Sequence, residues 1–224
     1  MGKANSIYFI VIILLLIVDI AVDVSARYSH KCACRDNSRH ATAPVAQSYA
    51  TPYKDVAAVK LPEPGESYKV IGQVPGLKNF VVQYDDQFYR GGELLSIEGM
   101  ENLKKWGIRT IFSVTPTDLE RLLAERYGIK LIELNFDKKQ GIPDTVLKKY
   151  LSELKTGNGP FYVHCHGGTH RGGALGTAYR VLINGWDIKK AMDEYKALGG
   201  NPTLDDKAMM DSIKEFKENA HASE

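Results

Sequence analysis

A short apolar run, a glycine-rich loop and a helix follow one another between residues 160 and 182. Pro160–Val163 has the length and composition of a buried strand, and Gly173–Leu182 those of a helix. The loop between them, Cys165–Arg171, holds a cysteine and an arginine six positions apart. Backbone N–H groups at a strand-to-helix junction converge on an anion. The segment therefore predicts a phosphate-binding loop that follows a buried strand.

The residues of this loop suit phosphoryl transfer. The thiolate is the reactive form of a cysteine such as Cys165, and a helix N-terminus with a nearby cation favours it. Arg171 can hold two phosphate oxygens with its planar guanidinium. Gly167 and Gly168 let the loop turn tightly around a ligand. Because a thiolate supplies the nucleophile by itself, no metal and no cofactor are predicted.

The sequence His164-Cys165, followed after five residues by Arg171, resembles the signature of the cysteine-dependent protein tyrosine phosphatase superfamily. It is most similar to the compact dual-specificity branch. Phe88–Leu94 and Gly99–Ile111 resemble the strand, helix and strand that open many small members, and the resemblance covers roughly residues 68 to 219. It implies hydrolysis of phosphate monoesters through a phosphocysteine intermediate, with a phosphoprotein or an inositol phosphate as substrate.

The resemblance also implies an aspartic acid, on a mobile loop upstream of the cysteine, that protonates the leaving group. Asp137 and Asp144 are the candidates. Asp137 follows the strand-like run Leu131–Phe136, at a point where a loop can close over the site. Asp144, after Pro143, has the position of a first-turn helix residue. We favour Asp137 and keep Asp144 as the alternative.

Two positions depart from the pattern of the superfamily. Gly172 stands where a serine or threonine usually follows the arginine and helps the cysteine sulfur to leave. Ser113–Pro116 stands where many relatives have an arginine after the strand. Two alternatives to a phosphatase therefore stay open. One is a phosphate-binding module with slow or no turnover, and the other is a rhodanese-like sulfurtransferase, which also places a cysteine in an anion-binding loop.

Positive charge around the loop favours a polyanionic substrate. Histidine titrates near neutral pH, so His166 and His170 can add charge in mild acid. Lys138 and Lys139 add fixed charge beside Asp137, although lysines in a solvated loop would look the same. A loop surrounded by positive charge attracts an inositol phosphate or a polyphosphate as well as it attracts a phosphorylated protein. The predicted substrate-binding residues are His166, Gly167, Gly168, Thr169 and His170.

Strand-like runs alternate with helical patterns over the second half of the chain. Strands are predicted at 108–114, 130–136 and 161–164, and helices at 119–127, 145–154, 172–184, 187–198 and 204–218. This order predicts an α/β fold in which helices flank a mainly parallel central sheet. The predicted phosphatase domain comprises residues 67–224.

The N-terminal part of the chain differs in composition from the predicted phosphatase domain. Ile7–Val18 is apolar but short for a membrane span, and small residues before Arg27 suit cleavage. Residues 1–26 are therefore predicted to be a signal peptide or membrane anchor. Residues 27–66 are predicted to be a flexible tether that carries Cys32 and Cys34. The protein is expected to be exported to a periplasmic or extracellular location, or to be membrane-anchored.

The overall charge argues against one class of partner. The formal net charge is +2, and it becomes +3 without residues 1–26, because Lys3, Asp19 and Asp23 leave with them. A charge this small does not indicate nucleic acid. The expected partners are a phosphorylated protein or a polyanionic small molecule, and a membrane tether is left open.

Overall fold

The computed structural model describes residues 60–222. The predicted signal peptide or anchor, residues 1–26, and the predicted tether up to residue 59 lie outside the described residues, as do Cys32 and Cys34. Among residues 60–222, no helix is both long enough and apolar enough to cross a membrane.

Six strands form one mixed sheet. They are β1 (Lys69–Gly72), β2 (Val81–Asp85), β3 (Phe88–Gly91), β4 (Thr110–Ser113), β5 (Lys130–Glu133) and β6 (Phe161–His164). Their order in the sheet is β1-β2-β3-β6-β4-β5. The β3–β6, β6–β4 and β4–β5 pairs are parallel, whereas β1–β2 and β2–β3 are antiparallel. The prediction of a mainly parallel sheet is confirmed, and β1 and β2 add an antiparallel edge that the sequence pattern did not predict.

Six helices flank the sheet in the described part of the chain. They are α1 (Ile97–Lys105), α2 (Asp118–Tyr127), α3 (Asp144–Thr156), α4 (Arg171–Leu182), α5 (Ile188–Ala197) and α6 (Lys207–Ala222). All the predicted helices are present, with ends shifted by a few residues. The largest difference among the strands is at β5, which ends at Glu133 and not at residue 136. After Leu134, whose N–H still bonds to the Ser113 carbonyl at 2.8 Å, the chain leaves the sheet.

Polar caps and a glycine explain where two helices begin and end. The Thr117 hydroxyl accepts a hydrogen bond from the Glu120 N–H at 3.1 Å and begins α2. Gly128, with φ +64°, ends that helix in the left-handed conformation. The Asp187 carboxylate accepts from the Lys189 N–H at 2.8 Å and begins α5. These local signals are readable in the sequence.

Helices cover both faces of the sheet. On one face, strand residues such as Phe112 and Val163 pack against buried residues of α3, α4, α5 and α6. On the other face, Ile111 packs with buried residues of α1 and α2. Adjacent residues of β4 therefore point to opposite cores, as the alternation of a strand requires. α4 is the most deeply enclosed helix, since residues 172–181 are all buried.

The phosphate loop leaves the sheet at its centre. β6 lies between β3 and β4, so that His164 pairs with Gly91 on one side and Ser113 on the other. Ligand sites of α/β sheets lie at the carboxyl ends of the parallel strands. The segments that follow β3, β4 and β5 therefore lie around the loop that follows β6.

Candidate active site

The loop between β6 and α4 comprises residues 165–170. Cys165 directly follows the strand, is 4% exposed and belongs to the core that packs on α4. Arg171 is the first residue of α4 and is partly exposed. The predicted nucleophile and the predicted phosphate ligand thus lie at the two ends of one short loop.

The carbonyl groups of this loop are held by protein donors. His166 O accepts from the N–H of Glu93 at 3.3 Å, and Gly167 O accepts from Asn79 Nδ2 at 2.8 Å. In a planar trans peptide the N–H points away from the C=O, so these contacts turn the neighbouring amides to the opposite side. Within residues 60–222, no N–H group of 166–170 donates to a protein acceptor. The loop therefore presents free donors, as an anion site requires.

Position 168 of the loop requires glycine. Its φ is +77°, in the left-handed region that side chains rarely adopt. A Cβ atom at this position would lie 2.3 Å from the carbonyl oxygen of Gly91 and 2.7 Å from the amide nitrogen of Gly92. The tight turn that aligns the amides of the loop thus depends on contact between two backbones.

An open pocket of about 650 Å³ lies beside the loop. Arg171 lines it, and neither its guanidinium nor the Lys138 ammonium has a hydrogen-bond or ion-pair partner among the described residues. Two such cations in one pocket favour an anionic ligand. In residues 60–222, no group of three or more His, Cys, Asp or Glu side chains could hold a metal ion. The complete lining is Val114, Asn135, Phe136, Asp137, Lys138 and Arg171.

The two candidate acids lie in different places. Asp137 is exposed, lines the same pocket as Arg171, and accepts a hydrogen bond from the Lys139 N–H at 2.9 Å through Oδ1. Its second oxygen has no partner among residues 60–222. Asp144 is exposed in the first turn of α3 and does not line the pocket. The geometry therefore favours Asp137 over Asp144 for contact with a ligand held by Arg171.

His166, at the start of the loop, is largely solvent-exposed but bound to two charged side chains. Its Nδ1 lies 2.7 Å from Glu93 Oε2, and its Nε2 lies 2.6 Å from Lys78 Nζ. Lys78 Nζ is also 3.2 Å from Glu93 Oε1. The three side chains form a closed network, which reduces the positive charge expected from the sequence at this side of the loop.

The comparison with known proteins agrees with this geometry. Residues 76–223 match the tyrosine phosphatase family. The chain belongs to the tyrosine phosphatase family. This membership decides against the rhodanese-like alternative. The fold is similar to that of TpbA from P. aeruginosa, with a TM-score of 0.57, 18% identity, and coverage of 69% of this chain and 97% of TpbA.

Two curated proteins of Arabidopsis thaliana share sequence with this member of the tyrosine phosphatase family. Inositol diphosphatase DSP4 is 29% identical over 130 residues, and inositol diphosphatase DSP5 is 29% identical over 125 residues. The matches cover 55% and 52% of this chain. They cover 64% and 60% of the two relatives, so the chain spans less than two thirds of their length.

Gly172, the departure from the family pattern, lies directly behind the nucleophile. A Cβ atom added there would lie 3.2 Å from the Cys165 amide nitrogen and 3.4 Å from the His164 Cα. This contact is tight but needs only a shift of a few tenths of an ångström. Position 172 therefore lies against the backbone that carries Cys165, and glycine offers no hydroxyl there.

A buried polar cluster supports the strand residue that precedes the nucleophile. His164 Nε2 lies 2.5 Å from Glu120 Oε1, and the Ser113 hydroxyl donates to Glu120 Oε2 at 2.8 Å. His164 and Glu120 are each 1% exposed. The cluster connects β6, β4 and α2 below the loop, and it fixes the direction in which the chain enters the site.

The last two residues of the loop contact the segment between α5 and α6. The Thr169 methyl lies 3.3 Å from the position of a Cβ on Gly199. His170 Nδ1 lies 2.8 Å and 3.0 Å from the two carboxylate oxygens of Asp206. All the predicted loop residues are thus adjacent, but their side chains face different neighbours.

Several residues that shape the site were not predicted from the sequence. Glu93, Asn79 and Asp206 contact the loop across separations of 73, 88 and 36 residues, and no local pattern marks them. Glu120 carries a weak signal, because it shares a buried face of α2 with Leu123 and Ala124. A charged residue at an apolar helix position indicates a buried polar partner.

Proposed function

We propose that the protein is a phosphatase that works through a phosphocysteine intermediate. Cys165 attacks phosphorus, and Arg171 and the amides of residues 166–170 hold the phosphoryl oxygens and stabilise the charge of the transition state. Asp137 protonates the leaving oxygen, and water then hydrolyses the phosphorus–sulfur bond. The observation that carries the proposal is Arg171, which has no partner among residues 60–222 and lies at the end of a loop whose amides are free of acceptors within that range, in the same pocket as Asp137.

We propose that the substrate is a polyanionic small molecule of the inositol diphosphate class. Lys138, which lines the pocket and has no partner in the described part of the chain, supports this choice, and so does the similarity to two inositol diphosphatases. TpbA, in contrast, has been crystallised with phosphotyrosine. A phosphotyrosine peptide is therefore the second substrate in any comparison, and a phosphoserine peptide beside it decides whether the enzyme is of the protein tyrosine or dual-specificity type.

Hydrolysis of aryl phosphates by the full chain tests the proposed mechanism. Para-nitrophenol leaves without much help from an acid, whereas phenol needs a proton. Asp137→Asn should therefore slow hydrolysis of phenyl phosphate much more than that of para-nitrophenyl phosphate. Asp144→Asn is the matched control and should change neither rate. Cys165→Ser should abolish both reactions, and Arg171→Lys should weaken both, because lysine lacks the bidentate fork.

Three results would contradict the mechanism. Activity that survives Cys165→Ser would exclude the proposed nucleophile. Equal effects of Asp137→Asn and Asp144→Asn would remove the support for Asp137 as the acid. Binding of phosphate without any turnover would favour the alternative of a phosphate-binding module, which Gly172 motivates.

The location of the protein is also a proposal. The apolar run and the small residues before Arg27 support export or membrane anchoring. Fractionation of cells that express the full chain, with sequencing of the mature N-terminus, tests this. A mature protein that begins at Arg27 would indicate a cleaved signal peptide, whereas recovery of the complete chain in the membrane fraction would indicate an anchor. Recovery of the complete chain in the soluble cytoplasmic fraction would contradict the proposal.

A further inference from the structure

The two histidines of the phosphate loop differ in what they can still bind. At His166 both ring nitrogens are engaged, one by Glu93 and the other by Lys78. An ammonium group only donates, so Nε2 of His166 accepts and Nδ1 carries the proton that is donated to Glu93. His166 therefore has no ring nitrogen left for a substrate.

His170 has one ring nitrogen engaged and one available. Nδ1 faces both carboxylate oxygens of Asp206, and Nε2 has no partner among residues 60–222. The side chain is 45% exposed and directly precedes Arg171 at the start of α4. Because a carboxylate accepts only, Nδ1 carries a proton, and Nε2 can donate to an anion when the ring is doubly protonated.

Asp206 is a buried anchor that fixes the direction of the His170 ring. It is fully buried, and it also accepts from the Tyr195 hydroxyl at 2.8 Å and from the Asn201 N–H at 2.9 Å. Burial by itself raises the pKa of Asp206, but the hydrogen bonds from His170, Asn201 and Tyr195 bring it below its ordinary value. Asp206 is therefore a carboxylate at neutral pH.

The same anchor also holds the backbone of the loop. The Tyr195 hydroxyl lies 3.1 Å from the His170 carbonyl oxygen as well as 2.8 Å from Asp206. Residue 170 is thus held through both its side chain and its main chain by groups on or beyond α5. The ring is therefore held in one orientation on the residue next to Arg171, which limits the entropy lost when Nε2 binds a ligand.

We propose that His170, positioned by Asp206, binds a second phosphoryl group of the substrate while Arg171 and the loop amides hold the group that is cleaved. This inference rests on the proposed function and names a specificity residue for it. A substrate with a diphosphate or with two neighbouring phosphates satisfies both contacts, whereas a simple monoester satisfies only the first. A hydrogen bond between two charged groups is stronger than one between neutral groups, so the second contact favours the substrate with two phosphoryl groups over the simple monoester.

The second contact requires one form of the ring. In the neutral ring that donates from Nδ1 to Asp206, Nε2 can only accept, so an anion binds at Nε2 only when the ring is doubly protonated.

Binding of two small anions tests the proposal without any need for turnover. The full chain with Cys165→Ser is titrated by calorimetry with methylenediphosphonate and with inorganic phosphate at about pH 6, within the titration range of imidazole. Adding His170→Asn keeps a donor close to the position of Nδ1 and removes Nε2. It should weaken binding of the diphosphonate by roughly 10- to 100-fold, the value of a hydrogen bond to a charged group, and weaken phosphate much less.

His166→Asn is the matched control, because it removes the Nε2 of a histidine that is already fully engaged. It should leave the ratio of the two affinities unchanged. Asp206→Asn, like His170→Asn, should lower the ratio, and a thermal unfolding curve shows whether that variant is folded.

Two results would overturn the proposal. Either His170→Asn leaves the affinity ratio as it is in the parent, or it weakens both anions equally, which would indicate that the residue only stabilises the loop. If Asp206→Asn does not fold, the affinity ratio of His170→Asn alone tests the proposal. Failure of the proposed catalytic function is a separate result, because it is seen as absent hydrolysis of para-nitrophenyl phosphate by the chain that retains Cys165.

Discussion

Replacement of Glu120 by alanine should destabilise the protein far more than replacement of any exposed acid on the same helix. The Glu120 carboxylate accepts from the Ser113 hydroxyl and contacts His164 Nε2, and all three side chains are buried. In Glu120→Ala both partners lose their acceptor, and there is no solvent to replace it.

The size of the effect follows from the two orphaned groups. A buried donor without a partner costs about 1–3 kcal/mol, so two of them cost roughly 2–6 kcal/mol. With a urea m-value of about 1–3 kcal/mol per molar, this corresponds to a shift of the unfolding midpoint by about 1 M or more. Glu120→Gln retains one carbonyl oxygen as acceptor, and its loss should be intermediate.

Urea unfolding followed by circular dichroism measures the effect, and Glu125→Ala is the control. Glu125 is exposed on the same helix, so its replacement should change the free energy of unfolding by less than about 0.5 kcal/mol. If Glu120→Ala and Glu125→Ala shift the midpoint equally, the buried cluster does not contribute as described. A normal midpoint with reduced hydrolysis in Glu120→Ala would show that the cluster only orients the loop.

Three further predictions concern the loop and its anchor. Gly168→Ala should lower the free energy of unfolding by more than about 1 kcal/mol and abolish aryl phosphate hydrolysis, because it combines a positive φ with a backbone clash. Gly107→Ala has a similar φ of +76° but nothing within 4 Å of the added Cβ, so in parallel urea and hydrolysis assays it should cost less stability and no activity. Gly172→Ser should raise steady-state turnover roughly tenfold, the value of one hydrogen bond of about 1.5 kcal/mol to the leaving sulfur; an unchanged rate would count against the role assigned to this position. Asp206→Asn should be less stable than the parent at neutral pH. The pKa of Asp206 is lower in the folded state than in the unfolded state, so its carboxylate contributes fully to stability above the unfolded pKa of about 4 and loses that contribution as the pH falls further. The difference in melting temperature between Asp206→Asn and the parent should therefore shrink in acid and not in base.

The strand, loop and helix around Cys165 were predictable because their signals are local. Phe161–His164 is a strand between turn residues, and glycines follow at once, so the periodic pattern placed β6 correctly. The helix after the loop was recognised for the same reason, and the structure adds that the core encloses it. The cap at Thr117 is equally local, since it acts between the Thr117 hydroxyl and the Glu120 N–H three residues later.

The parts that could not be predicted depend on pairing between distant segments. β2, Val81–Asp85, is a strand because it pairs with β1 and β3, and its irregular register does not follow from its own composition. The same applies to Asp206, which becomes part of the site only when the chain after α5 folds back on the loop. His166 had the correct position for a substrate contact, but Glu93 and Lys78 occupy its nitrogens.

Trapping of the covalent intermediate tests the central claim most directly. The full chain is mixed with para-nitrophenyl phosphate, quenched in acid within the first turnover, digested and examined by mass spectrometry. We expect the mass of one phosphoryl group to be added to the peptide that contains Cys165, and this adduct to be absent in Cys165→Ser. Turnover without an adduct at Cys165, or an adduct on another residue, would contradict the role of Cys165 as the nucleophile.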